Sequence, residues 1–314
     1  MKNRPVVLVT GCNGFVGFWL IDILSNKGYD VIGLDNSENS NVSGIKYRKV
    51  DILNLQAVAD VIKEFKPDYI FHLAAISYLP EADKSPRNSL MINILGSVNL
   101  FEAVKEYSPK SKLLYVGSSK QYGNVSKNGI SENDISAPSN FYAVSKHSGE
   151  LIGKQYAHDF GLHFYFARSF NHTGPGQSPL FVCSDWASQV AKIALGKSPP
   201  IIKVGDLEST VDFSDVRDVV TAYVSIVEKG KAGEVYNVCS GRGVDLHWIL
   251  SYLIEKSSIK ITIQEEIDRK RSHSTNRHLT GDNSKLKSDT NWENQFSLER
   301  TLDELYEYWI EKLK

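Results

Sequence analysis

The stretch that decides the fold is Pro5-Val-Val-Leu-Val-Thr10 followed by Gly11-Cys-Asn-Gly14-Phe-Val-Gly17. Its first six residues form a continuous apolar, β-branched run, the pattern of a strand buried on both faces of a parallel sheet. The glycines then follow at GxxGxxG spacing. Phe15, Phe18, Trp19 and Ile23 recur at helical spacing, and Gly28 is placed as a C-terminal stop. Strand, glycine turn and helix in that order make a dinucleotide cradle. The glycines permit a tight turn and close backbone approach, and the helix N-terminus offers N–H groups to a pyrophosphate. Gly11, Asn13, Gly14, Phe15, Val16 and Gly17 are therefore candidate cofactor-binding residues.

Working outward, the second strand, Asp30 to Asp35, ends in a carboxylate 18 positions beyond Gly17, near the roughly 20 expected of a residue that binds the adenine ribose. A carboxylate there accepts both ribose hydroxyls and repels a 2′-phosphate, favouring NAD with NADP as the second option. A turn aspartate before Asn36-Ser37 would look the same. Lys46 to Val50 reads as a third strand, with Asp51 placed where an adenine amino group could be bound. Asn54 caps a helix that runs to Phe65. Tyr69 to Ala75 is a fourth strand ending in Ala74 and Ala75, small enough for close passage beside a ligand. His72 within it reads as a hydrogen-bonded core residue. Ser89 to Tyr107 is one long helix, whose outer turns pair with a later helix in a dimer interface.

Lys112 to Gly117 is the fifth strand, with Ser118 and Ser119 at its carboxyl end, where open parallel sheets bind ligands. Either serine could hydrogen-bond a substrate oxygen, and either could be a plain strand-end cap. Pro138-Ser-Asn140 starts a helix carrying Tyr142-Ala-Val-Ser-Lys146. Four residues apart, the tyrosine and lysine share a helix face. An ammonium near a phenol lowers a pKa that starts near ~10, giving a usable general acid/base; an amphipathic helix with a half-buried tyrosine and a solvated lysine would show the same spacing.

The 314 residues suit one large α/β domain or two linked domains, and the formal net charge of −1 offers no nucleic-acid footprint. Cys12, Cys183 and Cys239 form neither a CxxC pair nor a metal-ligand spacing, so free thiols, no metal and a reducing, cytoplasmic setting are expected. No signal peptide and no apolar run of membrane-spanning length is present.

Together, Thr10-Gly-x-x-Gly-x-x-Gly17, the His72-Leu-Ala-Ala75 segment, the Ser118-Ser119 strand end and Tyr142-x-x-x-Lys146 resemble the extended short-chain dehydrogenase/reductase family. The resemblance implies a doubly wound parallel, Rossmann-type α/β sheet with a smaller C-terminal α/β substrate lobe. It makes Ser118, Tyr142 and Lys146 the catalytic set: Ser118 polarises the substrate oxygen, Tyr142 exchanges its proton, and Lys146 binds the nicotinamide ribose. Asp51, Ile52, Leu73, Ala74 and Ala75 join Asp35 around the dinucleotide, while Ser77 and Ser119 fall beside the sugar. Asn93 matches a family asparagine with a structural role. Members that dehydrate their sugar carry an Asp-Glu or Ser-Glu pair where Ser119 and Lys120 stand, so dehydration is not expected.

Leu162 to Phe170 is a sixth strand. The following Asn171-His-Thr-Gly-Pro-Gly-Gln177 run, Ile201 to Glu208, Asp212 to Asp218 and Glu234 to Gly241 resemble the family's GDP-4-dehydro-6-deoxy-D-mannose reductases. By that resemblance Asn171 reaches the diphosphate, Lys203 and Val204 lie near the base, and Arg271, with Arg269 as substitute, takes the phosphates. Val211 stands where the family usually has an arginine that contacts the phosphates. Residues 1–170 are expected to form the dinucleotide domain, with 211–240 returning to it, and 171–314 the substrate lobe. The last helix, Leu298 to Lys314, reads as packing. The implied partner is a nucleotide-diphosphate sugar, with no nucleic acid or membrane, in a homodimer. The rivals are a nucleotide-sugar 4-epimerase and a non-catalytic protein that senses NAD(H) or a nucleotide sugar.

Overall fold

The computed structural model describes residues 4–266 and 278–314. Its strands are β1 (Val6–Thr10), β2 (Asp30–Asp35), β3 (Lys46–Lys49), β4 (Tyr69–His72), β5 (Lys112–Ser118), β6 (Lys127–Ile130), β7 (His163–Ser169), β8 (Asn171–Thr173), β9 (Ile201–Val204), β10 (Thr210–Asp215), β11 (Val235–Val238), β12 (Gly243–Asp245), β13 (Thr262–Glu265) and β14 (His278–Gly281). The helices are α1 (Phe15–Asn26), α2 (Leu55–Phe65), α3 (Leu79–Lys84), α4 (Pro86–Leu90), α5 (Gly96–Tyr107), α6 (Phe141–Phe160), α7 (Val182–Ala194), α8 (Val216–Lys229), α9 (Leu246–Lys256), α10 (Ser284–Thr290) and α11 (Leu298–Leu313).

Seven strands, all parallel, form the main sheet in the order β11-β7-β5-β4-β1-β2-β3. Strand β1 shows why its apolar run was needed. Val7 and Val9 enter one core with Leu20, Leu24 and Val220, while Leu8 enters a second core with Val58, Leu100 and Phe101. Alternate residues of one strand thus serve two helical layers, and each fully buried aliphatic side chain contributes about 1.5–3 kcal/mol of transfer free energy. The chain steps from β1 to β2 and β3, then returns to place β4 on the other side of β1. That reversal opens a crevice beyond the carboxyl ends of β1 and β4.

The β2 and α2 boundaries coincide with the sequence expectation, and Asn54 Oδ1 accepts the Ala57 N–H as the α2 cap. Strand β4 stops at His72, so Leu73 to Ala75 are loop. The long helix expected from Ser89 to Tyr107 is interrupted: α4 and α5 flank a π-helical segment, Met91–Leu95. Apolar spacing cannot distinguish an i+5 turn from an i+4 turn, and the wider turn accompanies a buried Asn93.

A second sheet runs β12-β10-β14-β6, with β8 beside β10, and β9 pairs with β13. Strand β6 precedes residue 170 yet pairs with β14, while β11 joins the main sheet beside β7. Helices α7, α9 and α11 pack with β9 and β10 around Ile202, Phe213, Leu250 and Trp309. All three cysteines are buried and free. Among the described residues no helix is long and apolar enough to cross a membrane.

Candidate active site

A cleft of about 1860 Å³ lies over the carboxyl ends of the main sheet and continues to the second sheet. That exceeds the ~300–1,000 Å³ usual for one small ligand. At one end stands the glycine turn. Gly11 has φ of +69°, and a Cβ on it would lie 2.8 Å from the Ala74 nitrogen, so only glycine lets the turn pass the β4 loop this closely. A Cβ on Gly17 would sit 2.6 Å from the carbonyls of Gly11 and Cys12, which holds α1 hard against the turn. No side chain caps α1 at Gly14, leaving its first N–H groups directed at the cleft that Gly14, Phe15, Val16 and Gly17 line.

Asp35 reaches this end from β2. Its carboxylate accepts from the Asn13 N–H (3.2 Å) and from the Ser37 N–H and Oγ (3.1 and 2.8 Å). Asp51, Ile52, Leu73, Ala74, Ala75 and Ser77 complete the wall. Asp51 also accepts from the Leu53 N–H. Asn13 is different: it does not line the cleft, and its side chain braces the loop at Asn39 and Asn41. The uncapped helix, the turn that excludes a Cβ and the placed carboxylate fit a dinucleotide's pyrophosphate and ribose.

Toward the middle, Ser118, Ser119, Tyr142 and Lys146 line the same cleft. Asn140 caps α6 by accepting the Ala143 N–H, which starts the helix one residue before Tyr142. Ser118 Oγ accepts the Lys120 N–H at 3.2 Å and bonds to the Tyr142 phenol. Lys146 Nζ donates to the Val116 carbonyl at 2.8 Å and lies 5.3 Å from the Tyr115 ring centroid. Asn93 ties the helix down: Nδ2 donates to Ser145 Oγ and to the Ile76 carbonyl, and Oδ1 accepts the Ile76 N–H.

The electrostatics correct one expectation. Burial raises the Tyr142 phenol above its ordinary value, and the Ser118 hydrogen bond opposes it only in part. Lys146 is itself pushed down to about 8 by burial, and its ammonium is spent on a carbonyl and a ring face. In the protein alone, desolvation therefore outweighs any acidification of the phenol by the lysine. His72 is a core residue, hydrogen-bonded to Thr10 Oγ1 and Ser97 Oγ and pushed down to about 3 by burial, with Lys146 adding to the shift.

At the far end, Asn171 lines the cleft with a buried Nδ2 that has no partner among the described residues, an unused donor suited to a phosphate oxygen. Val211 also lines this end. Lys203 and Val204 do not: Lys203 Nζ pairs with Glu266, and Val204 is wholly buried in the lobe core. Strand alternation sends the two side chains to opposite faces of β9, and Gly205 and Asp206 meet the cleft instead. Arg271 and Arg269 lie outside the described residues. Sequence reasoning missed His172, whose ring stacks on Phe15 with centroids 6.3 Å apart and whose Nδ1 is 3.0 Å from the Phe170 carbonyl. It also missed Gln121. The NHTGPGQ run signalled the first only as a loop, and nothing local signalled the second.

The sequence profile of the family described as GDP-mannose 4,6 dehydratase matches residues 8–305. A GDP-6-deoxy-D-mannose reductase of Pseudomonas aeruginosa is 33% identical over 312 residues, covering 98% of each chain. A GDP-6-deoxy-D-talose 4-dehydrogenase of Aggregatibacter actinomycetemcomitans is 29% identical over 96% of each chain. The solved structure of RMD from Pseudomonas aeruginosa complexed with NADPH superposes with a TM-score of 0.88 at 32% identity, covering 98% of this chain and all of that one.

Proposed function

This chain belongs to the GDP-mannose 4,6-dehydratase family, and from that premise we propose that it is an NAD(P)H-dependent reductase of a nucleotide sugar. The substrate is GDP-4-dehydro-6-deoxy-D-mannose and the product is GDP-rhamnose or its 4-epimer. The observation that carries this is the meeting of Ser118, Tyr142 and Lys146 in one cleft with a dinucleotide cradle, while Ser119 and Lys120 occupy the positions of a dehydratase's acid pair. The similarity to a GDP-6-deoxy-D-mannose reductase and a GDP-6-deoxy-D-talose 4-dehydrogenase supports the same choice.

When bound, the nicotinamide supplies the hydride. Ser118, whose Oγ accepts from Lys120, turns its proton from the Tyr142 phenol to the sugar's carbonyl oxygen. As that oxygen gains charge, Tyr142 donates its phenolic proton to it, and the Lys146 ammonium balances the phenolate left behind. Asn171 Nδ2 meets the substrate's diphosphate, and Asp35 receives the adenine ribose hydroxyls, which favours NADH over NADPH. Residues 1–170 with 211–240 hold the cofactor, and 171–314 hold the sugar nucleotide. Exposed Met91 and Leu95, with Phe141, Val144 and Leu151 on α6, support a homodimer through these helices. The setting is cytoplasmic.

The test mixes the protein with GDP-4-keto-6-deoxy-mannose and NADH or NADPH and identifies the product by NMR. Tyr142→Phe should lower turnover by roughly 10²–10⁴-fold, the range for a lost general acid, with dinucleotide binding retained. Near-wild-type turnover of that variant would overturn the assignment. Turnover by protein carrying tight NAD, with no NADH added, would identify an epimerase instead.

A further inference from the structure

Gln121 is fully buried in the single 3-10 turn Ser119–Tyr122 that follows β5. Its Oε1 accepts the Ser118 N–H at 2.8 Å, and its Nε2 donates to Glu150 Oε2 at 2.7 Å. Glu150 is only 1% exposed and sits on α6, one turn beyond Lys146. Arg168 of β7 grips both its oxygens, Nε to Oε2 at 2.9 Å and Nη2 to Oε1 at 2.8 Å, and Lys154 Nζ adds a bond at 2.8 Å. The other side of the amide is closed as well: a Cβ on Gly117 would stand 2.4 Å from Gln121 Oε1.

The amide has one bonded orientation. Flipped, its NH₂ would face the Ser118 N–H and its oxygen would face a carboxylate. A neutral side chain that both accepts and donates is required, and glutamine meets that requirement where glutamate or methionine does not. We propose that Gln121 is a positioning residue for the reaction, registering the Ser118 main chain against the helix that carries Tyr142 and Lys146. The proposal rests on the roles given above to Ser118 and Tyr142. It explains why a carboxylate held by two cations lies next to the reacting residues without touching the cleft.

Two variants test it. Gln121→Met fills the volume with neither hydrogen bond. It should lower kcat about tenfold or more, as expected for a misplaced catalytic group, leave the KM for the dinucleotide unchanged, and speed amide hydrogen exchange at Ser118 but not along α6. Gln121→Glu keeps the shape but needs a proton between two carboxylates. Glu150 faces Arg168 from β7, Lys154 and His147 from its own helix, Tyr115 from β5 and, through Arg168, Tyr122. These cations keep Glu150 ionised, so the proton falls to the new glutamate. Activity should be near wild type at low pH and disappear as rising pH removes that proton, in protein that stays folded by circular dichroism. Unchanged Ser118 exchange or wild-type kcat in Gln121→Met, or a Gln121→Glu profile parallel to wild type, overturns the proposal. If Gln121→Met does not fold, the Gln121→Glu profile decides. A wild-type protein that reduces no GDP-linked sugar counts against the function assigned above, while Ser118 exchange, which needs no substrate, still decides the clamp.

Discussion

The pH dependence of the reduction follows from which of two neighbouring groups loses its proton first. On the roles proposed for them, reduction requires Tyr142 protonated and Lys146 charged. Burial holds the phenol above its ordinary value and brings the lysine down to about 8. The lysine therefore sets the alkaline limit. Because its pKa is depressed, about nine-tenths of it is charged at pH 7 and the charge is lost as pH rises through about 8. One unit above that value, a single titration leaves roughly a tenth of the sites charged. The assay is kcat/KM for NADH at a sugar concentration well below its own KM, which reports the free enzyme, measured from pH 6 to 10. We expect a plateau to about pH 7.5 and then a fall with a slope of one proton. A limb near pH 6, or a plateau that persists to pH 10, would refute the reasoning. The first would mean that the lysine acidifies the phenol after all, and the second that Lys146 is less desolvated than its place against Tyr115 and Val116 implies.

Two further outcomes are expected. Asp35→Asn keeps the shape of the β2 end but removes the charge that repels a 2′-phosphate, so the ratio of kcat/KM for NADH over NADPH should fall by on the order of tenfold, about 1.4 kcal/mol of discrimination; an unchanged ratio would place cofactor choice elsewhere. His72 is neutral in the fold and depressed to about 3, whereas an unfolded histidine titrates near ~6.5. Its contribution is therefore present above the unfolded value and lost as pH falls, by up to about 1.4 kcal/mol per pH unit between roughly 6.5 and 3. Urea unfolding of wild type and His72→Asn at pH 7 and 5 checks this: the variant should lose less stability on acidification.

The legible parts of the chain were those whose chemistry is local. The β1 run, the glycine turn and the α1 stripe are consecutive, and each is demanded by its neighbour. The Asn54 cap and the Tyr142–Lys146 spacing are likewise single-element facts. What stayed hidden depends on residues far apart in sequence. Strand β6 carries no strand signal of its own, and its partner β14 lies about 150 positions later. Lys203 and Val204 sit beside the right segment, but which strand face meets the cleft is set by packing of β9 against α7. Asn13 carries the right motif position and yet serves the 39–41 loop. Gln121 gives no signal at all until β5, α6 and β7 are brought together.

The same distinction explains how a family named for dehydration can hold a reductase. Dehydration needs a base to remove a proton next to the keto group, whereas reduction needs only a donor that protonates the new alkoxide. In the roles proposed above, the cradle, Tyr142, Lys146 and Ser118 serve either course. The divergence falls on the turn after β5, where Ser119 is buried and Lys120 lines the cleft. A cationic side chain has no lone pair with which to take that proton. Gln121 closes the same turn, so the residues that set the reaction and the one that sets its geometry are contiguous. Changing Lys120 to a glutamate without altering that clamp would alter the charge in the cleft while leaving Ser118 where reduction needs it. On this proposal, chemical choice in the cleft lies in side-chain charge on one turn, and the alignment of the reacting groups in the buried amide beneath it.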